Sequence, residues 1–237
     1  MIKVFSIHLS INILKMYIKT IILILLSLFL SSNSWGQSVQ DMLNKGVTSY
    51  DNKNKITVND SEKFKELLIS ENYRDFFGAI ADLKNKNKEE YEKVLLSQRD
   101  MGHVPVYWLL ADLYAGGNEK EQELSKKFLY IALIMTQQDS SLCVDQTAKY
   151  ATSNLLNYFK QTAEIAKKDN KNNAKIIQDA IFYIRSLKIR SHPRWACVYG
   201  NNVNSYSPQN MTISKESWNK NRDLVLDKYV KHMELNK

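Results

Sequence analysis

Apolar residues follow two different patterns along the chain. Between Ile21 and Leu30 they run almost unbroken, with Ser27 the only polar interruption. From Phe64 onward they recur every three or four positions, the period of a helix with one buried face. Phe64, Leu67 and Leu68 open this pattern; Phe76, Phe77, Ile80 and Leu83 repeat it, and Tyr91, Val94 and Leu95 repeat it again. Three short helices are therefore predicted before residue 100. The first is expected to begin at Asn59-Asp-Ser-Glu62, where a short polar side chain stands three residues before a glutamate.

The same period continues to the C-terminus. Ala148, Ala151, Leu155, Tyr158, Phe159, Thr162 and Ile165 predict one long helix, ended by the Lys-Asp-Asn run at 167–173. Ile177, Ile181, Ile184 and Leu187 predict another. After a loop from Ser191 to Asn210, a last helix carries Trp218, Val225, Tyr229 and Met233 on one side and Lys and Arg on the other. Only Trp195–Tyr199 is a candidate strand. The whole chain holds three prolines and seven glycines, which argues against a hairpin-rich all-β domain and for long helices with short connections.

The unbroken run has another meaning. At about ten residues it is too short to span a bilayer, it follows Lys15 and Lys19, and it precedes the small polar residues Ser31 to Ser34. These are the marks of a secretory leader, with Ser34 and Gly36 supplying the small side chains needed for cleavage after Gly36. Translation is expected to start at Met16, and no cysteine near residue 36 offers a lipid attachment site. Residues 1–36 are accordingly read as a signal peptide, 37–58 as a polar, flexible arm and 59–237 as a single helical domain. The alternative is an uncleaved anchor, which also places the rest of the chain outside the cytoplasm. The expected location is the periplasm, with no stable membrane insertion once the leader is removed.

Charge narrows the partners. Removing residues 1–36 takes away Lys3, Lys15 and Lys19 and no acid, which lowers the net charge from +8 to +5. The excess is moderate and sits among mixed-sign runs such as Lys84 to Glu90, so it reads as solvated helix surface. An exported chain without an aromatic-basic stripe is not expected to bind nucleic acid. An acidic partner protein or an anionic envelope surface remains open.

Cys143 and Cys197 form an even pair in a chain bound for an oxidising compartment. A disulfide between them closes a loop of roughly 55 residues and stabilises the fold by about 3–4 kcal/mol if the gain is mainly loop entropy. The alternative is two separate buried thiols. A Cys-His nucleophile from Cys197 and His192 is disfavoured, because an exported free thiol has to escape pairing with the other cysteine. Zinc is disfavoured too, since His103, His192 and His232 accompany the cysteines without HExxH or CxxC spacing. No catalytic residue, metal or cofactor is expected, although a pair of glycosidase carboxylates leaves little trace in a single sequence.

Gly102-His-Val-Pro-Val-Tyr-Trp-Leu-Leu-Ala-Asp-Leu-Tyr-Ala-Gly-Gly117, followed by Ser125 to Leu133, reads as a helix pair. Leu109, Leu110, Leu113 and Tyr114 form the apolar side of its first helix, and Gly116-Gly117 is expected to supply a left-handed stop. Asn118 and Glu121 cap the second helix, and Ala111 and Ala132 let the two approach closely. This segment resembles one Sel1-like repeat, a relative of the tetratricopeptide repeat, with Gly102, Ala111, Tyr114, Gly117, Phe128, Tyr130 and Ala132 in the pattern positions. Val106 and Ser125 depart from that pattern. The resemblance covers about 35 residues and implies an all-α fold, a helix-pair α-solenoid fragment completed by flanking helices, because a lone repeat cannot bury its own face.

Thr136 to Asp145 and Ser191 to Gly200 resemble segments of Sel1-like exported proteins that act as immunity partners of type VI secretion effectors. That resemblance implies a protein that binds and blocks a toxin in the periplasm, by docking over its active site. The alternatives are a periplasmic adaptor and a cell-envelope hydrolase. The loop 191–210 is the expected recognition segment, with Arg194, Trp195, Tyr199 and Tyr206 as partner-binding residues among Asn, Ser and Gly. Trp195 and Tyr199 have an inward alternative, packing beside a Cys143–Cys197 disulfide.

Overall fold

The computed structural model of the chain describes residues 61–70, 73–168 and 173–235. The expected leader over 1–36, the arm over 37–58 and the cap at Asn59 lie outside these. Three helices open the described chain: α1 Ser61–Ile69, α2 Tyr73–Lys86 and α3 Lys88–Gln98. Phe64 and Phe76 meet edge to face at 6.2 Å and join α1 to α2. Asn87 begins α3, its side chain accepting from the Glu90 amide at 3.1 Å and so satisfying one of the amides a helix start leaves open.

The helix pair follows as α4 Val104–Ala115 and α5 Glu119–Ser140. The Asn118–Glu121 capping box is complete: each side chain bonds the other residue's amide, at 3.2 and 2.7 Å. Ala111 and Ala132 are fully buried, and Ser125 donates to the Ala111 carbonyl at 2.6 Å across the pair. Tyr114 stacks on Phe128 at 6.0 Å and donates to Glu92 of α3 at 2.6 Å, which ties the pair to the helix before it. Val106 is buried and Ser125 lies well inside α5, so both departures from the repeat pattern serve as packing residues.

The glycine turn differs from expectation. Gly116 sits at φ −88°, and the one glycine with positive φ among the described residues is Gly102, at φ +69°. Gly117 is small for another reason: a Cβ there would lie 2.3 Å from Glu121 Oε2, the oxygen that completes the cap.

The rest of the chain wraps α5. It comprises a 3₁₀ turn at Gln146–Tyr150, α6 Ala151–Tyr158, α7 Lys160–Lys168, α8 Asn173–Ser186, the short α9 Arg194–Cys197, further 3₁₀ turns at Val203–Ser205, Pro208–Asn210 and Lys215–Ser217, and α10 Trp218–Leu235. The long helix expected over 148–165 is kinked. Phe159 leaves helical geometry at φ −93°, ψ 36° and stacks on Trp108 of α4 at 5.3 Å. Trp195–Tyr199 forms no strand: α9 occupies its first three residues, and the described chain pairs as β only at an isolated Cys143–Thr212 bridge. The fold is all-α. Central α5 touches α4, α6, α7, α8, α9 and α10, which explains why its C-terminal half is buried nearly all round.

Candidate functional site

Burial around α5 puts a polar residue where its apolar stripe predicts another hydrophobe. Asp139 follows Ile131 and Met135 at helical spacing and has no solvent exposure. Three groups from the C-terminal third of the chain converge on its carboxylate. Arg222 of α10 donates to Oδ1 at 2.9 Å, Arg190 donates to the same oxygen at 3.3 Å, and the Trp195 indole N–H donates to Oδ2 at 2.9 Å. Neighbouring Gln138 accepts from Arg190 at 2.8 Å and donates to the Arg222 carbonyl at 2.9 Å. Two guanidinium groups thus share one buried carboxylate, and burial lowers the Arg190 pKa to about 10 although Asp139 opposes the shift.

Further ties hold the same segment. Cys143 and Cys197 are joined by a disulfide with Cα atoms 5.3 Å apart. Ser191 donates its hydroxyl and its amide to the Gly102 carbonyl at 2.9 and 3.3 Å, and Arg222 donates to the Ser191 carbonyl at 3.1 Å. Gly102 therefore matters for position as well as conformation: a Cβ there would lie 2.3 Å from the Ile189 carbonyl oxygen. The segment after Asn210 is pinned by Met211 accepting from the Val144 amide at 2.9 Å and by Ile213 donating to Leu142 at 2.8 Å. His192 meets the Trp218 ring edge on at 4.8 Å, and the Trp218 indole donates to the Ile213 carbonyl at 3.0 Å.

Asp145 shapes the loop tip. It accepts from the amide and hydroxyl of Thr147 at 2.9 and 2.7 Å and from the Asn202 amide at 2.7 Å, while Thr147 accepts from the Asn201 amide at 2.7 Å. Burial alone would raise its pKa, but the hydrogen bonds from Thr147 and Asn202 outweigh it and hold the carboxyl below the usual carboxylate range. Gly200 is required beside it, since a Cβ would stand 2.5 Å from Asp145 Oδ2.

This geometry sorts the expected partner-binding residues. Trp195 is buried and bonded to Asp139, so it anchors the segment and does not face a partner. Tyr199 is half-buried with its ring edge on Trp195 at 6.3 Å, and burial raises its pKa. Arg194 and Tyr206 are half-exposed. Around them Val198, Asn201, Asn202, Asn204, Ser205, Ser207 and Asn210 are exposed. The ties hold the backbone from inside and leave Val198 and these polar side chains outside.

The positive charge is less evenly spread than the mixed-sign runs imply. Between Asp179 and Glu216 there is no acid at all, while Arg185, Lys188, Arg190, Arg194 and Lys215 fall in that stretch. Lys188 to Arg222 holds six bases against one acid, but Arg190 and Arg222 turn inward to the buried carboxylate of Asp139 and add little to the surface charge. The anchoring acids, Asp139 and Asp145, come from elsewhere in the chain and are buried beneath it.

Cys197 has no thiol to offer as a nucleophile, because it is disulfide-bonded. Among the described residues no cluster of three His, Cys, Asp or Glu side chains is arranged to hold a metal ion, and no helix is long and apolar enough to cross a membrane. Asp139, Asp145, Arg190, Ser191 and Arg222 escape sequence reasoning. A signal for two of them lies in the sequence, as a charged residue at helical spacing in an apolar series that the predicted stripes did not include: Asp139 after Ile131 and Met135, and Arg222 between Trp218 and Leu226. Comparison of the chain with protein-family models, curated proteins and solved structures finds no match.

Proposed function

We propose that this chain is an exported binding protein that neutralises a type VI secretion effector in the periplasm, by laying the segment 191–210 over the effector's active site. The observation that carries this reading is the anchoring of that segment. A polar loop is tied from within by a disulfide, by Asp139 and by Asp145, so little conformational freedom remains to be lost on association. Its exposed Asn and Ser side chains offer adaptable hydrogen bonds, and Arg194 is the one charged side chain in residues 191–210. Inhibition is steric and needs no chemistry from this chain.

The test is protection. Deleting the gene sensitises cells to effector-secreting kin, and restoring the chain rescues them; survival of the deletion strain beside those kin would overturn the reading. An adaptor role is the second reading, favoured by the α4–α5 pair and its resemblance to a Sel1-like repeat. An adaptor would bind an envelope protein without blocking any toxic activity, so an inhibition assay separates the two.

A further inference from the structure

Phe182 is the most exposed large hydrophobic residue described, at 74%. It lies on the outward side of α8, where Gln178, Phe182 and Arg185 follow one another at helical spacing while Ile176, Ala180, Ile181 and Ile184 face inward. On α10, Arg222 and Leu226 face inward, and Leu224 and Asp227 face out. Arg185 and Asp227 meet at 3.7 Å, so the outward sides of α8 and α10 share one seam. Phe182 stands one turn from the first member of this ion pair and Leu224 one turn from the second. Leu224 is 51% exposed, and Ile189, just beyond the end of α8, is 50% exposed. Single exposed hydrophobes are ordinary; Phe182 and Leu224 flanking one ion pair form a patch of the kind that marks an interface.

We infer that the α8–α10 seam is a self-association surface, occupied by the same seam of a second copy of this chain. The charge pattern selects that occupant. An anionic membrane or a nucleic acid would meet the exposed carboxylates Asp179 and Asp227 beside the patch, and a uniformly acidic protein would meet them too. A two-fold contact instead requires a surface that complements itself, with both signs on one patch. Arg185 and Asp227 supply this: each can face its opposite in the second copy while Phe182 and Leu224 close over each other. The 14 residues of α8 and 18 of α10 make helices about 21 and 27 Å long, long enough for two such pairs to pack face to face as a four-helix contact.

The inference goes beyond the proposed function and is tested without any effector, so either can fail alone. The full chain, purified as cells deliver it, is followed by light scattering and sedimentation over a dilution series. The expected mass is twice that of one chain and falls to one on dilution. Phe182→Glu is expected to abolish the dimer while circular dichroism and melting temperature stay those of the parent, because Phe182 supports no core contact. Arg185→Glu and Asp227→Arg are each expected to weaken association tenfold or more, and an equal mixture of the two variants to pair again, one copy of each, through matched charges. A parent chain that is monomeric throughout overturns the inference, as does a dimer indifferent to Phe182→Glu or a mixture that fails to pair. A monomer whose Phe182→Glu variant loses protection against the effector would assign the seam to the effector instead.

Discussion

Arg222 on the last helix donates to the carboxylate of Asp139 on α5 at 2.9 Å, with both side chains buried and 83 residues of chain between them. Arg190 bonds the same oxygen, so the two positions are unequal. Removing Asp139 strands two buried cations, whereas removing Arg222 leaves a balanced pair. Asp139→Asn is therefore expected to cost roughly 3–5 kcal/mol in urea unfolding, and Arg222→Met clearly less. Equal losses would mean that the two guanidinium groups do not depend on one carboxylate.

The disulfide acts on the unfolded chain. Replacing Cys143 and Cys197 together by Ser is expected to lower stability by about 4 kcal/mol, the loop-entropy value for this spacing. Limited proteolysis of the double variant should then cut first in the polar stretch after Val198. Cleavage elsewhere would show that Asp139 and Asp145 hold the segment without help.

Gly102 and Gly116 make a contrast within one turn-rich region. Gly102→Ala combines positive φ with a Cβ at 2.3 Å from the Ile189 carbonyl oxygen, and is expected to cost about 1–3 kcal/mol and to loosen Ser191. A Cβ at Gly116 meets nothing within 4 Å and φ is negative there, so Gly116→Ala should stabilise by about 0.4–1 kcal/mol. Melting temperatures of the two variants on opposite sides of the parent check both.

His103 gives a pH dependence of definite sign. Burial lowers its pKa from 6.5 to about 4, and its Nδ1 is buried without a hydrogen-bond partner. The unfolded chain therefore binds a proton that the folded chain refuses between these values. Stability is full above pH 6.5 and falls as the pH drops towards 4, by on the order of 3 kcal/mol. A His103→Gln variant should flatten this part of the curve, measured as unfolding midpoint against pH. Asp145 has a lowered pKa, so the stability it supplies is lost only below the usual carboxylate range, outside the window of His103.

Asp145 separates loop shape from global stability. Asp145→Ala removes the acceptor for the Asn202 amide and for Thr147 near the surface. If the proposed function holds, weaker effector protection is expected, with a stability loss of about 1–2 kcal/mol. Unchanged protection would place recognition away from residues 200–202.

Helix identity was largely legible because it is a local property. The apolar period located α1 to α3, and the Asn118–Glu121 box located the start of α5. The kink at Phe159 was not legible, since the stripe from Ala148 to Ile165 has helical spacing throughout. At the break Phe159 stacks on Trp108, some 50 residues earlier, a contact no local window contains. Residues 191–210 were legible as polar and aromatic, but which aromatics face outward was not. Trp195 turns inward for a carboxylate on another helix.

By itself the sequence determined the all-helical class, the helix pair within 102–133 and the pairing potential of Cys143 with Cys197. These follow from spacing, capping and count, which are properties of neighbouring residues. The tertiary structure decided the roles of Asp139, Arg190, Arg222 and Asp145, and with them which side of residues 191–210 faces solvent. A charge can enter a protein interior only where its counter-charges converge in space. That convergence joins residues up to 83 positions apart, a relation invisible in any local window of the chain.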